Sequence, residues 1–286
     1  VTTTFAANGD AVLILQGSDY VTFNGIDVAT NDQGIEYGYF FRRASETDGC
    51  KFVTITNATI DLTKGTSGFV IGFYSSNLVA GSPLTSATGI VLTSTGGRHE
   101  NVTFTGNTIQ DVHAGIVLRG YVHATPFDFY DQNFVVGQNG AGNIIQNYGG
   151  GSNTTTYAVY MIYHNNLSVG YNTINNTAGG GSGFTLTGYG IFTSTATSAN
   201  LDIINNNVTV TSIATTSSLA AISSSSGSTA AGNTVNVNNN VVTNCSYTTA
   251  TTGTFDAIVA SGSAAIVNLN SNTVSNNVQS GTGLFT

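Results

Sequence analysis

Charged residues are scarce in this chain, and their scarcity excludes one class of partner. Only 7% of the 286 residues are charged, and six lysines and arginines stand against 14 aspartates and glutamates, a net charge of −8. A protein that binds nucleic acid needs a basic stripe to neutralise phosphates. We therefore expect no nucleic acid partner. No apolar run reaches the roughly 20 residues that cross a bilayer, so we also expect no transmembrane segment.

Helix signals and cysteines are scarce as well. No segment repeats apolar residues at the i, i+3, i+4 and i+7 spacing over three turns, and the 35 glycines disfavour helix. The two cysteines, Cys50 and Cys245, are separated by about five of the repeats described next. At the spacing of stacked strands this distance is on the order of 24 Å, far beyond the reach of a disulfide. The sequence thus excludes a disulfide between them.

What the chain does contain is an apolar residue that recurs at a nearly constant spacing. Successive copies are 32, 49, 32, 33, 34, 34 and 32 residues apart. These anchors are Val21, Val53, Val102, Phe134, Leu167, Leu201, Val235 and Val267. A period of this length indicates a solenoid, in which each supersecondary unit stacks on the next.

Each repeat has the pattern of short strands joined by tight bends. Apolar and polar residues alternate from the anchor onward, as in Val102 and Phe104, which predicts a strand with one buried face. A Gly or Asn bend follows, because these residues tolerate a left-handed backbone. Further strands complete most repeats. We predict an all-β fold, a parallel β-helix of about eight to ten coils of 32–34 residues.

The periodicity extends along the whole chain, which predicts one domain. We expect residues 1–286 to form a single β-helix segment of a longer protein, without a capping element and therefore inclined to associate end to end. The one long separation, between Val53 and Val102, predicts a loop insertion over residues 75–88 or a degenerate extra coil.

Three tripeptides carry a resemblance to a known family. Residues 107–109, 172–174 and 272–274 read Asn-Thr-Ile, Asn-Thr-Ile and Asn-Thr-Val. They resemble the right-handed parallel β-helix repeats of the pectin-lyase-like superfamily, over essentially the whole chain. Residues 142–176 are also similar to repeats of large secreted and cell-surface bacterial proteins exported by the type IX route. The superfamily includes polysaccharide lyases, hydrolases, phage tailspikes and noncatalytic adhesins, so the resemblance implies the fold and leaves the function open.

Asparagines recur at two fixed positions of the repeat. Five residues after the anchor stand Asn107, Asn172, Asn206, Asn240 and Asn272, and one residue before it stand Asn101, Asn133, Asn166 and Asn200. Stacked amides can hydrogen-bond from coil to coil, so we predict structural ladders. Ligand binding is the alternative.

A row of chemistry-bearing residues lies three positions before the anchor. His99, Asp131 and His164 hold this place in three consecutive repeats, so we expect their Cα atoms roughly 5 Å apart along the stack. Two imidazoles that flank a carboxylate can bind a transition metal such as zinc or act as acid and base. The alternative is that all three are turn residues that face water.

Most remaining candidates lie in the third and fourth repeats. The candidate catalytic residues are His99, Arg119, Asp128 and Asp131, and the candidate ligand-binding aromatics are Tyr121, Phe129 and Tyr130. Carboxylates beside aromatic platforms are typical of sugar-binding grooves. The acidic motifs of β-helix hydrolases, such as Asn-Thr-Asp, Asp-Asp and Gly-His-Gly, are not found. Solvated turn residues are the alternative here too.

The sequence therefore favours a structural function. We expect a noncatalytic stalk, fibre or adhesin module without a cofactor, located outside the cell or on its surface because the chain is rich in Ser, Thr, Asn and Gly and poor in lysine. Its partners would be glycans or neighbouring subunits of the same fibre. The alternative is a glycan-binding module or a polysaccharide lyase or glycoside hydrolase, with its site on coils three to five.

Overall fold

The chain folds as a parallel β-solenoid. The computed structural model describes residues 9–65, 69–80, 89–151 and 155–286. Within these ranges the only helical elements are two 3₁₀ turns, Thr95–Gly97 and Ala178–Gly180. Each coil contributes one strand to each of three sheets, and each strand pairs in parallel with its counterpart in the next coil. The coils make about seven turns, so the predicted all-β solenoid is confirmed and the predicted coil number is approximate.

The first sheet contains eight strands, by which we number the coils one to eight. These strands are β1 (Ala11–Gln16), β4 (Tyr37–Arg43), β7 (Ile71–Val79), β10 (Ala114–Arg119), β13 (Thr155–Ile162), β16 (Thr187–Thr193), β19 (Leu219–Ser224) and β23 (Phe255–Ala260). They begin each coil and lead through a turn into the second sheet.

The second and third sheets also contain eight strands each. The second is formed by β2 (Thr22–Asn24), β5 (Lys51–Thr56), β8 (Glu100–Thr105), β11 (Asp131–Val136), β14 (His164–Gly170), β17 (Leu201–Ile204), β20 (Thr234–Asn238) and β24 (Ile266–Asn268). The third is formed by β3 (Val28–Ala29), β6 (Thr59–Asp61), β9 (Thr108–Gln110), β12 (Ile144–Gln146), β15 (Thr173–Asn175), β18 (Asn207–Thr209), β21 (Val241–Thr243) and β25 (Thr273–Ser275). A small fourth sheet pairs β22 (Ser246–Tyr247) with β26 (Val278–Gln279).

The apolar anchors align in the second sheet as the sequence predicts. Val53 pairs with Val102, Val102 with Phe134, and Phe134 with Leu167, and the same register continues to the last coil. The anchors of coils two to seven are buried. The interior of the solenoid is therefore a continuous stack of like residues, which fixes the register because a slip by one residue would turn the apolar face outward.

The coil uses left-handed backbone at two places, at the corner after the second sheet and inside the strands of the second sheet. Gly25, Asn57 and Gly106, four residues after their anchors, have positive φ angles and turn the chain from the second sheet into the third. Asn101 and Asn133, one residue before their anchors, also have positive φ angles, of 56° and 59°. The predicted Gly and Asn bends are thus present, since these residues adopt this conformation at low cost.

The predicted insertion over residues 75–88 needs correction in its first part. Residues 75–79 are strand, because β7 continues to Val79, where it pairs with Arg43 of β4. Residues 81–88 lie outside the described residues. Within the described ranges, no helix has the length and apolar character to span a membrane.

Apolar residues form two clusters. The larger one fills the interior between the three sheets and includes Tyr39, Phe41 and Phe73 of the first sheet. The smaller one lies on the outer face of the same sheet and includes Phe40 and Tyr160. The first sheet is therefore apolar on both faces, which distinguishes it from a sheet that turns a polar face to water.

Candidate functional site

The predicted row of His99, Asp131 and His164 exists, but it points into the interior. Asp131 pairs with His164 in the second sheet, and all three side chains are completely buried. The alternative that all three are turn residues facing water is therefore wrong. Asn133 explains the difference: its left-handed backbone interrupts the alternation of the strand, so the position three before the anchor faces the same side as the anchor itself.

Asp131 carries a buried counter-charge that the sequence analysis missed. The guanidinium of Arg43 is fully buried and donates to the Asp131 carboxylate at 2.9 Å, to Asn77 Oδ1 at 2.8 Å and to the Gly97 carbonyl. The backbone N–H of His99 donates to the same carboxylate oxygen at 2.8 Å. Arg43 ends the strand Tyr37–Arg43, directly after Arg42 and an apolar and aromatic stretch, and an arginine in phase with the inward-facing Tyr39 and Phe41 was the available signal.

The two histidines are held neutral. His99 Nδ1 accepts from the Cys50 N–H at 2.8 Å, so the ring proton is on Nε2. Nε2–H then donates to the Ser76 carbonyl at 3.0 Å. Burial lowers its pKa well below the ordinary value, and Arg43 lowers it further. Burial likewise lowers the pKa of His164 to about 3. Uncharged rings are what a buried site beside an arginine requires.

These residues do not supply a free set of metal ligands. Both ring nitrogens of His99 are engaged, and His164 Nε2 is 3.9 Å from the nearer Asp131 oxygen. In the part of the chain that the structure describes, no group of three or more His, Cys, Asp or Glu side chains is placed to hold a metal ion. The alternative metal set of His99, Asp131 and His164 therefore has no support in this geometry.

The candidate aromatics separate into two environments. Tyr121 and Phe129 lie on the turn after β10, where Phe129 stacks on His123 with ring centroids 4.1 Å apart. Tyr130 is buried, and its hydroxyl is 3.3 Å from Thr197 Oγ1. Tyr130 is therefore part of the core and is not available as a binding platform.

The two candidate carboxylates are also separated. Asp128 is exposed on the turn and its backbone carbonyl accepts from Arg98 at 2.9 Å, whereas Asp131 is inside the solenoid. A glycosidase needs both carboxylates on one substrate. Asp128 and Asp131 cannot act as such a pair, so the predicted catalytic set of His99, Arg119, Asp128 and Asp131 is not brought together.

Arg119 instead belongs to an aromatic surface on the outside of the first sheet. In successive coils Phe40 pairs with Tyr74, Tyr74 with Val117, Val117 with Tyr160, and Tyr160 with Phe192. These side chains face outward because their neighbours in the strand, such as Tyr39 and Phe41, face the core. A second outward row adds Tyr37, Tyr157 and Tyr189. We call these two rows the aromatic strip; its members are Tyr37, Phe40, Tyr74, Tyr157, Tyr160, Tyr189 and Phe192.

The aromatic strip forms a groove across coils two to five. The groove has a volume of about 340 Å³ and is lined by Tyr37, Phe69, Ile71, Tyr74, Val117, Arg119, Thr155, Tyr157 and Tyr160. Its rings are in contact, for example Tyr157 and Tyr160 with centroids 4.8 Å apart. The Arg119 guanidinium lies 5.9 Å from the Tyr160 ring centroid, within the range of a cation–π contact.

The tyrosines of the groove are poor bases. Burial, and then the neighbouring Tyr160, raise the pKa of Tyr157 to about 12, while Arg119 opposes the rise. Burial also raises the pKa of Tyr74 and of Tyr160. These hydroxyls keep their protons near neutral pH, so they can donate and accept hydrogen bonds but do not abstract protons readily.

The sequence contained a signal for the aromatic strip. Aromatic residues of the first sheet recur at the repeat spacing, as Phe40 and Tyr74 do after 34 residues and Tyr157 and Tyr189 after 32. This outward-facing period lies in the first sheet, whereas the predicted register and site rested on the second-sheet anchors and the charged turn, so the aromatic strip was not predicted.

Comparisons with known proteins add no identification. No family model, no curated protein and no solved structure matches the chain. The resemblance to the pectin-lyase-like superfamily and to proteins exported by the type IX route therefore stays a prediction, and the fold itself, a parallel β-solenoid, is what the structure establishes.

Proposed function

We propose that this chain is a noncatalytic adhesive module, a segment of a secreted or cell-surface stalk, that binds glycan chains along the groove of the aromatic strip. The observation that carries the proposal is the set of contacting rings on the outer face of the first sheet, of which Tyr74 and Tyr157 are partly exposed in the groove, with Arg119 beside them. Apolar surface that lines a groove is often the site of a ligand or partner.

The groove suits an extended, flat and hydroxylated ligand. Its rings come from coils two, three and five, with Val117 between them in coil four, and successive coils are about 4.8 Å apart. A chain lying along the stack would therefore meet rings on both sides of Val117. Aromatic faces pack against the C–H faces of sugars, and the tyrosine hydroxyls and Arg119 offer hydrogen bonds to sugar hydroxyl groups. This combination of apolar walls with a few polar groups is typical of small-molecule sites.

The composition of the groove favours binding over catalysis. No carboxylate is among the described residues that line it, whereas glycoside hydrolysis uses two. The tyrosine pKa values lie far above neutral, and an arginine keeps its proton at any physiological pH. A general base poised near pH 7 is therefore lacking from this lining.

The experiment is a binding scan with soluble plant, algal and bacterial polysaccharides, by affinity electrophoresis and then calorimetry. We expect at least one to bind, and we expect Tyr157→Ala to weaken that binding by about tenfold, the loss typical of an aromatic residue at the centre of a contact. The matched control is Tyr20→Ala, because Tyr20 is an exposed ring that stacks on Phe52 away from the groove.

Two results would contradict the proposal. Equal weakening by Tyr157→Ala and Tyr20→Ala would show that the groove is not the site. Release of new reducing ends or unsaturated products from the bound polysaccharide would show an enzyme, the alternative that the sequence left open.

A further inference from the structure

A second, smaller pocket lies beside the aromatic groove, where the chain passes from the third sheet to the first. Its volume is about 260 Å³, and its wall includes Lys64, His113, Gly149–Gly151 and Ser182. His113 stacks on Phe69, a residue of the aromatic groove, with centroids 5.8 Å apart. The groove and the pocket are therefore adjacent, but they present different chemistry, since no Phe or Tyr is among the described residues that line the pocket.

His113 presents a hydrogen-bond donor at this pocket. Its side chain is fully buried, and its Nδ1 accepts from the Val70 N–H at 3.0 Å. A neutral imidazole that accepts at Nδ1 carries its proton at Nε2. The Nε2 atom is buried and has no hydrogen-bond partner of good geometry. Burial lowers the pKa of His113 to about 4, with Lys64 as a second cause, while the backbone of Gly65, also in the wall of the pocket, opposes the shift as a nearby acceptor. The ring is therefore a neutral donor near pH 7.

The glycine turn adds backbone donors. Gly149, Gly150 and Gly151 have φ angles of 81°, 85° and 70°, a left-handed run that only glycine adopts freely. Gly149 N–H donates to the Val112 carbonyl, but those of Gly150 and Gly151 make no hydrogen bond with any described residue. Successive free N–H groups in a turn form concavities that bind anions.

Lys64 supplies the positive charge. Its ammonium group is half-buried and donates to the Asn147 carbonyl at 3.0 Å and to Asn147 Oδ1 at 2.8 Å. An ammonium group has three donors, so one remains for a ligand. Burial lowers the pKa of Lys64, while the nearby Asp111 raises it.

We propose that this pocket binds a small oxyanion, a carboxylate or a phosphate group, held by the Lys64 ammonium, His113 Nε2–H and the N–H groups of Gly150 and Gly151. All three kinds of group donate, and one is cationic, so a ligand that only accepts hydrogen bonds and carries negative charge satisfies them together. The site is independent of the proposed glycan groove, because the two share no lining residue.

The test is a titration of the intact chain with sodium acetate and, separately, with inorganic phosphate, at constant ionic strength and near pH 7. The readout is the amide ¹H–¹⁵N shifts of Gly150 and Gly151 together with the ring ¹⁵N shift of His113. We expect saturable shifts at these three residues with a Kd on the order of 1 mM. Saturation by acetate alone identifies a carboxylate, saturation by phosphate alone identifies a phosphate group, and either supports the site.

Two variants and one control decide whether the pocket is responsible. We expect Lys64→Gln to weaken binding by about tenfold or more, and Lys51→Gln, at the only other lysine, to leave it unchanged. If Lys64→Gln does not fold, Gly150→Ala is the second variant, since its methyl group would stand at the wall, 3.7 Å from Ser182 Oγ. Shifts that do not saturate with either anion, or that persist in the variants, would overturn the proposal.

Discussion

At the scale of single residues, the interior of this solenoid holds an unusual group, the Arg43–Asp131 ion pair. Both side chains are completely buried, so each loses its hydration, and the pair is tolerable only because the guanidinium also reaches Asn77 and Gly97. The repeat spacing predicted correctly that Asp131 aligns with His164. It could not predict the inward direction, which depends on the backbone angles of Asn133, nor the partner, which comes from a different sheet 88 residues away.

Removal of Asp131 should therefore be costly. In Asp131→Ala the buried Arg43 charge loses its partner and the His99 N–H loses its acceptor, so we expect the free energy of unfolding to fall by about 3–5 kcal/mol. The measurement is urea denaturation, compared with Asp128→Ala at an exposed carboxylate, where we expect a change within about 0.5 kcal/mol. Similar losses in the two variants would contradict the buried pair.

The buried histidines should make the fold sensitive to acid. His164 and His113 have folded-state pKa values of about 3 and about 4, whereas an unfolded imidazole titrates near pH 6.5. Between these values the unfolded state binds more protons, so the contribution of these histidines to stability is fully present above about pH 6.5 and is lost as the pH decreases through the window. We expect the thermal midpoint to be lower at pH 5 than at pH 7.

One substitution isolates the contribution of His164. Neither ring nitrogen of His164 forms a hydrogen bond, and the ring packs edge-on against Phe134, so His164→Leu removes a titrating group without leaving an unpaired hydrogen-bond partner. We expect a shallower loss of thermal midpoint between pH 7 and pH 5 in this variant. Val122→Leu, at an exposed residue of the turn, removes no titrating group; it is the control and should keep the slope of the parent chain. An unchanged slope in His164→Leu would refute the assignment.

At the scale of elements, the coils are joined by the inner asparagine ladder. Asn172 shows the pattern. Its side-chain oxygen accepts from the backbone N–H and the side-chain amide of Asn143, one coil before. Its own side-chain amide donates to Asn206 Oδ1, one coil later, and to the Val136 carbonyl. The ladder runs through Asn107, Asn143, Asn172, Asn206, Asn240 and Asn272. The ladder is buried from Asn107 to Asn240 and half-buried at Asn272, whereas the asparagines of the outer row are half-buried or exposed. Two rows with the same spacing thus lie in different environments.

In the fourth coil the fixed spacing fails to predict the position of the ladder asparagine. Its ladder residue is Asn143, nine residues after the anchor Phe134 and not five, because a tight turn with a bridge between Gln138 and Ala141 lengthens this corner. The sequence analysis missed Asn143 for this reason. A fixed offset identifies ladder positions only where corner lengths are equal, and corner length is set by local turn chemistry.

The inner asparagine ladder should contribute far more to the free energy of unfolding than the outer row of asparagines. Asn172→Ala leaves the Asn143 amide donors and the Val136 carbonyl without their partners in a buried place, at about 1–3 kcal/mol for each unpaired group. We expect the free energy of unfolding to fall by at least about 3 kcal/mol. Asn166→Gly is the control: Asn166 is in the outer row with φ of 53°, which glycine adopts freely. Comparable effects on the urea midpoint would contradict a structural ladder.

At the scale of the whole molecule, the repeat determined what the sequence could reveal. Inward positions recur in every coil, so the fold and register followed from one sequence. The outward surface is not repeated in the same way: the aromatic strip covers coils two to six and then gives way to Ala220 and Ser223. The proposed glycan groove rests on such a local departure from the repeat, which an average over repeats conceals.

Within residues 1–286, β24 and β26 are the outermost strands of their sheets, and their edges should direct association of this segment when it is isolated. In β24 and β26 and the segment that follows, Ile266, Val278 and Leu284 are 53%, 51% and 63% exposed, and unpaired edges beside apolar side chains invite pairing with another chain. We expect sedimentation velocity on residues 1–286 to show association that increases with concentration. The double variant Val278→Lys with Leu284→Lys should reduce it, because charges at an edge oppose strand pairing. The control is Val122→Lys, on an exposed turn away from β24 and β26, which should leave the association unchanged. A monomer at every concentration, or equal effects of the control and the double variant, would show that these edges do not direct association.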